Sequence, residues 1–239
     1  MTCRPGRAAL TRLKKTGSLL LLLLAPAAAH SQVGGSVVAE TDYRFRGVSL
    51  SSQRPDLRLT LAYDHPGGAY ATYAGLSATT VEFEPEGRRA SLLGYAGFTG
   101  SVGPAGHGWR WDAGLTYTRT AGESRYDYGE VHAGLLGEHA SLRLYLSPDY
   151  FGSGAATAYL ELDAGWLLAP PWRLFAHLGS LQRLDGGEGR RIDTRLGAGL
   201  RAGELELQLA WVSNWRDGLY PVAYEQRRST LVFSASVAF

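Results

Sequence analysis

Apolar and polar residues alternate with a period of two along almost the whole chain beyond residue 30. Successive side chains of a strand point to opposite faces, so this pattern commits the backbone to β-structure with two chemically different faces. The clearest segment sets Leu57, Leu59, Leu61 and Tyr63 against Arg58, Thr60, Ala62 and Asp64. Trp109, Trp111, Ala113, Leu115 and Tyr117 alternate with Arg110, Asp112, Gly114, Thr116 and Thr118. The same rhythm runs through residues 140–147, 158–166, 192–201, 205–212 and 231–239, and more weakly through 36–46, 69–78, 89–99, 126–137 and 172–181. The count is twelve strands, most of about 9–12 residues, the length a tilted strand needs to cross a bilayer.

Two all-β architectures satisfy such strands. In a soluble sandwich the apolar face is the core; in a transmembrane barrel it meets lipid and the polar face lines the lumen. Three features favour an antiparallel up-and-down transmembrane barrel. Connections after odd-numbered strands are longer (47–54, 79–88, 119–125, 148–155, 182–190 and 214–227) than those after strands 2, 6, 8 and 10, whereas the stretch 100–108 breaks the rule. On the apolar face, aromatics gather at strand ends: Tyr43, Phe45, Tyr63, Tyr70, Phe98, Trp109, Trp111, Tyr117, Trp166, Trp172 and Trp211. Amphipathic rings favour the headgroup level, so these read as two girdles. The opposite face mixes arginines with acids, as a hydrated lumen does. An even strand number closes such a barrel without a free edge in lipid.

The first 29 residues belong to a different pattern. Arg4, Arg7, Arg12, Lys14 and Lys15 precede the apolar run 19–24, and Ala27, Ala28 and Ala29 follow it. This is the layout of a cleaved secretory signal, and the apolar run is too short to span a bilayer. The expected division is a signal peptide at 1–29 and a barrel at 30–239. Removing the signal leaves 19 basic residues against 22 acidic ones, a net charge of −3 in place of +2, with no basic excess for nucleic acid. Cys3, the sole cysteine, leaves with the signal. The mature chain is expected to hold no disulfide and no thiolate metal site.

Three segments resemble a known family. Ser36-Val37-Val38-Ala39-Glu40-Thr41-Asp42-Tyr43-Arg44-Phe45-Arg46-Gly47-Val48-Ser49 is similar to the opening of the TorF family, whose members are named as porins. Leu146-Ser147-Pro148-Asp149-Tyr150-Phe151-Gly152 resembles that family's mid-chain signature, and residues 232–239 resemble its terminal strand. The resemblance implies a bacterial outer-membrane location and a pore role, with no defined substrate or catalytic residue.

The functional expectation is an outer-membrane porin passing small polar solutes through a narrow charged lumen. Its candidate lining residues are Arg44, Arg58, Arg143 and Arg195 with Asp42, Asp112, Asp163 and Asp193, which would set a transverse field. Inward Gly114, Gly165, Gly197 and Gly199 would widen the passage. The alternatives are a closed barrel whose charges pair off, a surface-interaction barrel using the aromatic loop 214–227, and a lipid hydrolase. For the last, His132 and His177 are the histidines placed to face inward, but no serine in a nucleophile context accompanies them and no histidine flanks Ser213-Asn214. Asp185-Gly186-Gly187-Glu188-Gly189 falls short of a calcium loop. No catalytic residue, metal or cofactor is predicted. The expected partners are outer-membrane lipid, the barrel-assembly machinery through the strand ending at Phe239, and the solutes themselves. Both mature termini are expected on the periplasmic side.

Overall fold

The computed structural model describes residues 32–67, 70–103, 108–187, 189–215, 219–220 and 226–239. The expected signal peptide lies outside them. Twelve antiparallel strands form a closed barrel: β1 (Gln32–Glu40), β4 (Asp56–His65), β5 (Tyr70–Phe83), β6 (Gly87–Ser101), β7 (Arg110–Thr120), β8 (Tyr128–Leu136), β9 (Ala140–Ser147), β10 (Thr157–Ala169), β11 (Trp172–Arg183), β12 (Arg190–Ala202), β13 (Leu205–Trp215) and β14 (Ser229–Ala238). Each pairs with its neighbour in sequence, and β1 closes the ring on β14. At the seam, Gly35 and Phe239 exchange backbone hydrogen bonds of 2.8 and 2.9 Å. Every wall strand is thereby paired on both sides, as lipid requires.

The alternation orients the wall as expected. Leu59, Leu61, Leu115, Leu144, Leu162, Leu196, Leu209 and Phe233 are exposed on the outside. Outward aromatics crowd one rim, where Tyr63, Tyr70, Phe98, Trp109, Trp166 and Trp172 stand. The other rim is sparser, with Tyr117, Trp211 and Trp215. The first rim, where β4, β6, β8, β10 and β12 end, is called the turn end; the second, where β1, β5, β7, β9, β11 and β13 end, is called the loop end.

Two sequence expectations need correction at the loop end. The first strand does not run to residue 46: it stops at Glu40, and the chain then turns into the lumen as a small ribbon of β2 (Arg44–Phe45) and β3 (Val48–Ser49). Arg46 and Gly47 link these with φ of 48° and 78°, the paired positive values of a type I′ hairpin. Tyr43 and Phe45 therefore pack inside and are not girdle residues. The second correction concerns 79–88. The loop expected there is mostly strand, because β5 and β6 extend to a turn at 84–86. The extension is stable because its inward Val81 and Phe83, 3% and 1% exposed, pack against the ribbon. The proline and glycine of this stretch mask that alternation in the sequence.

Candidate functional site in the barrel lumen

The loop end of the lumen is filled. Val48 and Leu50 from the ribbon region, Val81, Phe83, Tyr128, Tyr159 and Leu181 from the wall, and Tyr126, Tyr150 and Phe151 from two short 3-10 turns form one buried cluster. Tyr220 of the last loop packs on it, and the Tyr150 hydroxyl donates to that of Tyr220 at 2.7 Å. Burial pushes the Tyr220 hydroxyl up to about 12 and that of Tyr150 well above the usual phenol range, so both keep their protons. The ribbon is tied to the wall by polar bonds as well. Asn214 Nδ2 donates to the Gly47 carbonyl at 2.7 Å, and the Glu82 N–H donates to that of Leu50 at 2.7 Å. A Cβ at Gly47 would fall within 3.0 Å of the Cβ atoms of Asp193 and Asn214, so glycine is needed both for φ and for this close approach.

Arg46 ties the ribbon to the wall. Its guanidinium meets Glu130 through two bonds, 2.9 and 2.8 Å long, and lies 4.0 Å from the Tyr159 ring centre and 5.2 Å from that of Tyr145. Both charged side chains are 5% exposed. A buried bidentate pair with aromatic faces on the cation fixes the ribbon's position.

Beneath the cluster lies a cavity of about 660 Å³ with a mixed charged lining, and towards the turn end a second of about 390 Å³. Asp42, Arg44, Arg58, Asp163, Asp193 and Arg195 border the first, and Asp112 and Arg143 border the second. Their arrangement differs from the transverse field expected, because opposite charges are matched locally. Asp42 and Arg44 sit on the inward segment, not the wall, and pair with each other at 2.7 Å. Arg143 donates to Asp112 at 2.9 Å, and Arg58 approaches Glu40 at 3.5 Å. Arg195 departs from this matching and donates to the neutral Gln208 at 3.1 Å.

The inward glycines do not all widen the lumen. A Cβ at Gly197 would fall within 3.0 Å of the Phe175 ring, and one at Gly114 within 3.0 Å of the His132 ring. Both are direct cross-strand pairs, in which an aromatic ring lies across the glycine opposite it. Tyr73 over Gly97 and Tyr95 over Gly75 repeat the device. A Cβ at Gly199 would meet Arg173 and Glu206 at 3.2 Å, and Gly165 is the least obstructed of the four, where a Cβ would make ordinary contact with the Leu174 carbonyl at 3.8 Å.

Both inward histidines sit in tyrosine–carboxylate networks. His132 Nε2 lies 2.9 Å from the Tyr73 hydroxyl, which donates to Asp112 at 2.8 Å. His177 is held at both nitrogens: Nδ1 is 2.7 Å from Asp163 Oδ1, and Nε2 is 3.0 Å from both Asp193 Oδ1 and the Tyr159 hydroxyl. Glu161 lies beside this group and accepts from the Tyr145 hydroxyl at 3.1 Å. The ladder explains the cluster. Asp163 faces His177 across β10–β11, and Glu161 faces Gly179, whose missing side chain leaves room for the Tyr159 hydroxyl and Asp193. Sequence reading found Asp163, Asp193 and His177 singly but missed Glu161 as a partner, because register between strands is not a local property. His65 ends β4 and His139 lies in the turn 137–139; His107, Glu188 and most of the aromatic loop lie outside the described residues. Asp185 is ion-paired with Arg183, which holds its carboxyl below the usual range.

Comparison with known proteins adds the fold's relatives. The COG4313 outer membrane channel from Pseudomonas putida F1 superposes with a TM-score of 0.51 at 13% identity, covering 89% of this chain and 96% of that one. An active-site variant of outer membrane phospholipase A from Escherichia coli gives 0.50 at 10% identity, covering 90% and 93%. At such identities the likeness concerns the fold: this is a barrel of the outer-membrane type, shared by a channel and an enzyme. No curated protein matches the sequence. Residues 25–238 match the family described as "Bacterial protein of unknown function (Gcw_chp)". The chain belongs to that bacterial family, the Gcw_chp family.

Proposed function

We propose that this protein is an outer-membrane channel for small polar solutes, closed at its loop end by the inward segment 41–55. The observation that carries this reading is the charged cavity of about 660 Å³ lying under a packed plug inside a closed twelve-strand wall. Eight strands are filled by their own side chains and sixteen or more leave an open channel, so twelve allow a narrow lumen that a single ribbon can block. The outward apolar surface with its aromatic rims supports an outer-membrane location. The resemblance to the TorF family agrees with a pore role. In the same reading, residues 1–29 are a cleaved signal, both mature termini are periplasmic, and the strand ending at Phe239 is read by the assembly machinery. The role proposed is non-catalytic: among the described residues the hydrogen-bond partners of His132 and His177 are tyrosines and aspartates, with no serine, threonine or cysteine on either.

The wall provides a clean test. Glu40 and Asp56 are directly paired across β1 and β4, so an Asn-Gly turn can replace residues 41–55 while keeping the β1–β4 register. In planar bilayers the full chain is expected to show rare or small steps and the shortened chain sustained ones. Absence of conductance in both supports the second reading, a closed structural barrel, which the dense aromatic plug also favours.

A further inference from the structure

The cluster on β10, β11 and β12 has a composition that simple charge pairing leaves unexplained. Glu161, Asp163 and Asp193 converge on one histidine, His177. Three arginines lie near. Arg46 is held by both oxygens of Glu130, Arg143 donates to Asp112 at 2.9 Å and pairs more loosely with Glu161 at 3.9 Å, and Arg195, opposite His177 across the ladder, donates to neutral Gln208 at 3.1 Å. Asp163 and Asp193 bond the imidazole and Glu161 lies beside them, on the wall of the larger cavity.

We infer that Glu161, Asp163 and His177 form a binding site for a divalent transition-metal ion of the zinc class. One ligand atom from each lies within 4.8 Å of the others. Zinc bonds to nitrogen and oxygen are about 2.0–2.2 Å long, so side-chain adjustments of roughly 1 Å bring all three onto one ion. The donor set is one imidazole and two carboxylates, with no thiolate, which suits zinc and its neighbours. Asp163 Oδ1 and His177 Nδ1, now 2.7 Å apart around a proton, mark where the ion enters; on binding, that proton leaves to solvent.

The surroundings provide what such a site needs beyond its ligands. Metal-bound histidines almost always donate their other N–H to a carboxylate or carbonyl. Here His177 Nε2 faces Asp193, whose side chain is 2% exposed. The Tyr145 hydroxyl holds Glu161 in the same manner. Gly179 opposite Glu161 keeps the space clear: a Cβ there would fall within 3.0 Å of the Tyr159 hydroxyl and Asp193 Oδ2. Three protein ligands facing a cavity leave a coordination position for water, unlike the closed four-ligand set of a structural zinc. A lumen so equipped takes a metal ion as a solute it holds, and in this respect the inference rests on the reading of the lumen as accessible to solutes.

The test is equilibrium binding of Zn²⁺ alone to the refolded full barrel in detergent, measured by calorimetry. One ion per chain is expected, with affinity falling by tenfold or more in Asp163→Asn and in His177→Gln, and by about 10–100-fold in Asp193→Asn through loss of the supporting hydrogen bond. Far-UV circular dichroism and heat-modifiable electrophoretic migration confirm that each variant is folded. No binding by the parent protein, or equal binding by all folded variants, overturns the site. Conductance of the chain shortened at 41–55, measured in parallel, separates the two proposals: zinc binding by the full barrel without conductance in either chain supports the site and overturns the channel, and conductance of the shortened chain without zinc binding does the reverse.

Discussion

Arg46 shows how much of the interior depends on single side chains. It belongs to the ribbon, yet its charge is matched by Glu130, 84 positions away in sequence, and its guanidinium rests among the rings of Phe45, Tyr145, Tyr150 and Tyr159. Removing one partner of a buried pair leaves an uncompensated charge, which costs about 3–5 kcal/mol, whereas replacing both by apolar or neutral groups is far less damaging. Arg46→Ala is therefore expected to lower unfolding stability by about that amount in guanidinium titrations of the folded barrel. Arg46→Met combined with Glu130→Gln should recover most of the loss. Equal stability of the single and double variants would show that the pair does not anchor the ribbon. The motif around Arg46 was conspicuous in the sequence as a family resemblance, but its alternation read as wall. Tyr43, Arg44, Phe45 and Arg46 alternate in the same way on a strand facing the lumen as on a ribbon within it.

Among the elements, the β5–β6 hairpin and the ribbon depend on each other. The hairpin outgrows the apolar belt, and its outward Glu82 and Arg88 are polar where lipid-facing residues would be apolar. What holds it is Phe83 and Val81 packing on the plug, together with Asp56, which accepts from Thr79, Thr80 and Arg88. Truncating a buried aromatic such as Phe83 to alanine removes about 3–5 kcal/mol of packing. Because that packing joins the ribbon to the far end of one hairpin, the expected result is local: amides of 43–50 lose hydrogen-exchange protection in Phe83→Ala while those of β9–β13 keep theirs. Loss of protection throughout the barrel would instead make the plug part of one cooperative unit with the wall.

For the whole molecule, the barrel sorts its residues by the solvent they meet. Leu162 is exposed at mid-height on the outside, while its neighbours Glu161 and Asp163 turn to the cavity. An arginine on the lipid face costs roughly 2–4 kcal/mol at the bilayer midplane and about 0–1 near the interface. Leu162→Arg is expected to fall in the first range and Ala90→Arg, near the outward edge of the hairpin extension, in the second, when folding into lipid vesicles is titrated with urea. Equal penalties would place the apolar belt elsewhere on the barrel. The outward aromatics lean towards the turn end, so the belt is anchored more strongly at that rim than two even girdles imply.

The wall was readable in the order of residues, since a strand's two faces follow from a period of two that any stretch of eight or ten residues displays. The twelve strands, their outward leucines, and the inward placement of Arg58, Asp112, Arg143, Asp163, Asp193 and Arg195 all rest on that local rule. The contents of the lumen follow from closure instead. Segment 41–55 leaves the wall because Arg46, Val48 and Leu50 find partners that only the closed ring brings near. The rings of Phe175 and Tyr73 fill the space over Gly197 and Gly97 because register sets them opposite. Asp163 and His177 meet across a ladder, with Glu161 and Asp193 one step away on either side of Gly179. Alternation says which face a side chain takes, but its neighbours on that face depend on register and curvature, which belong to the assembled barrel.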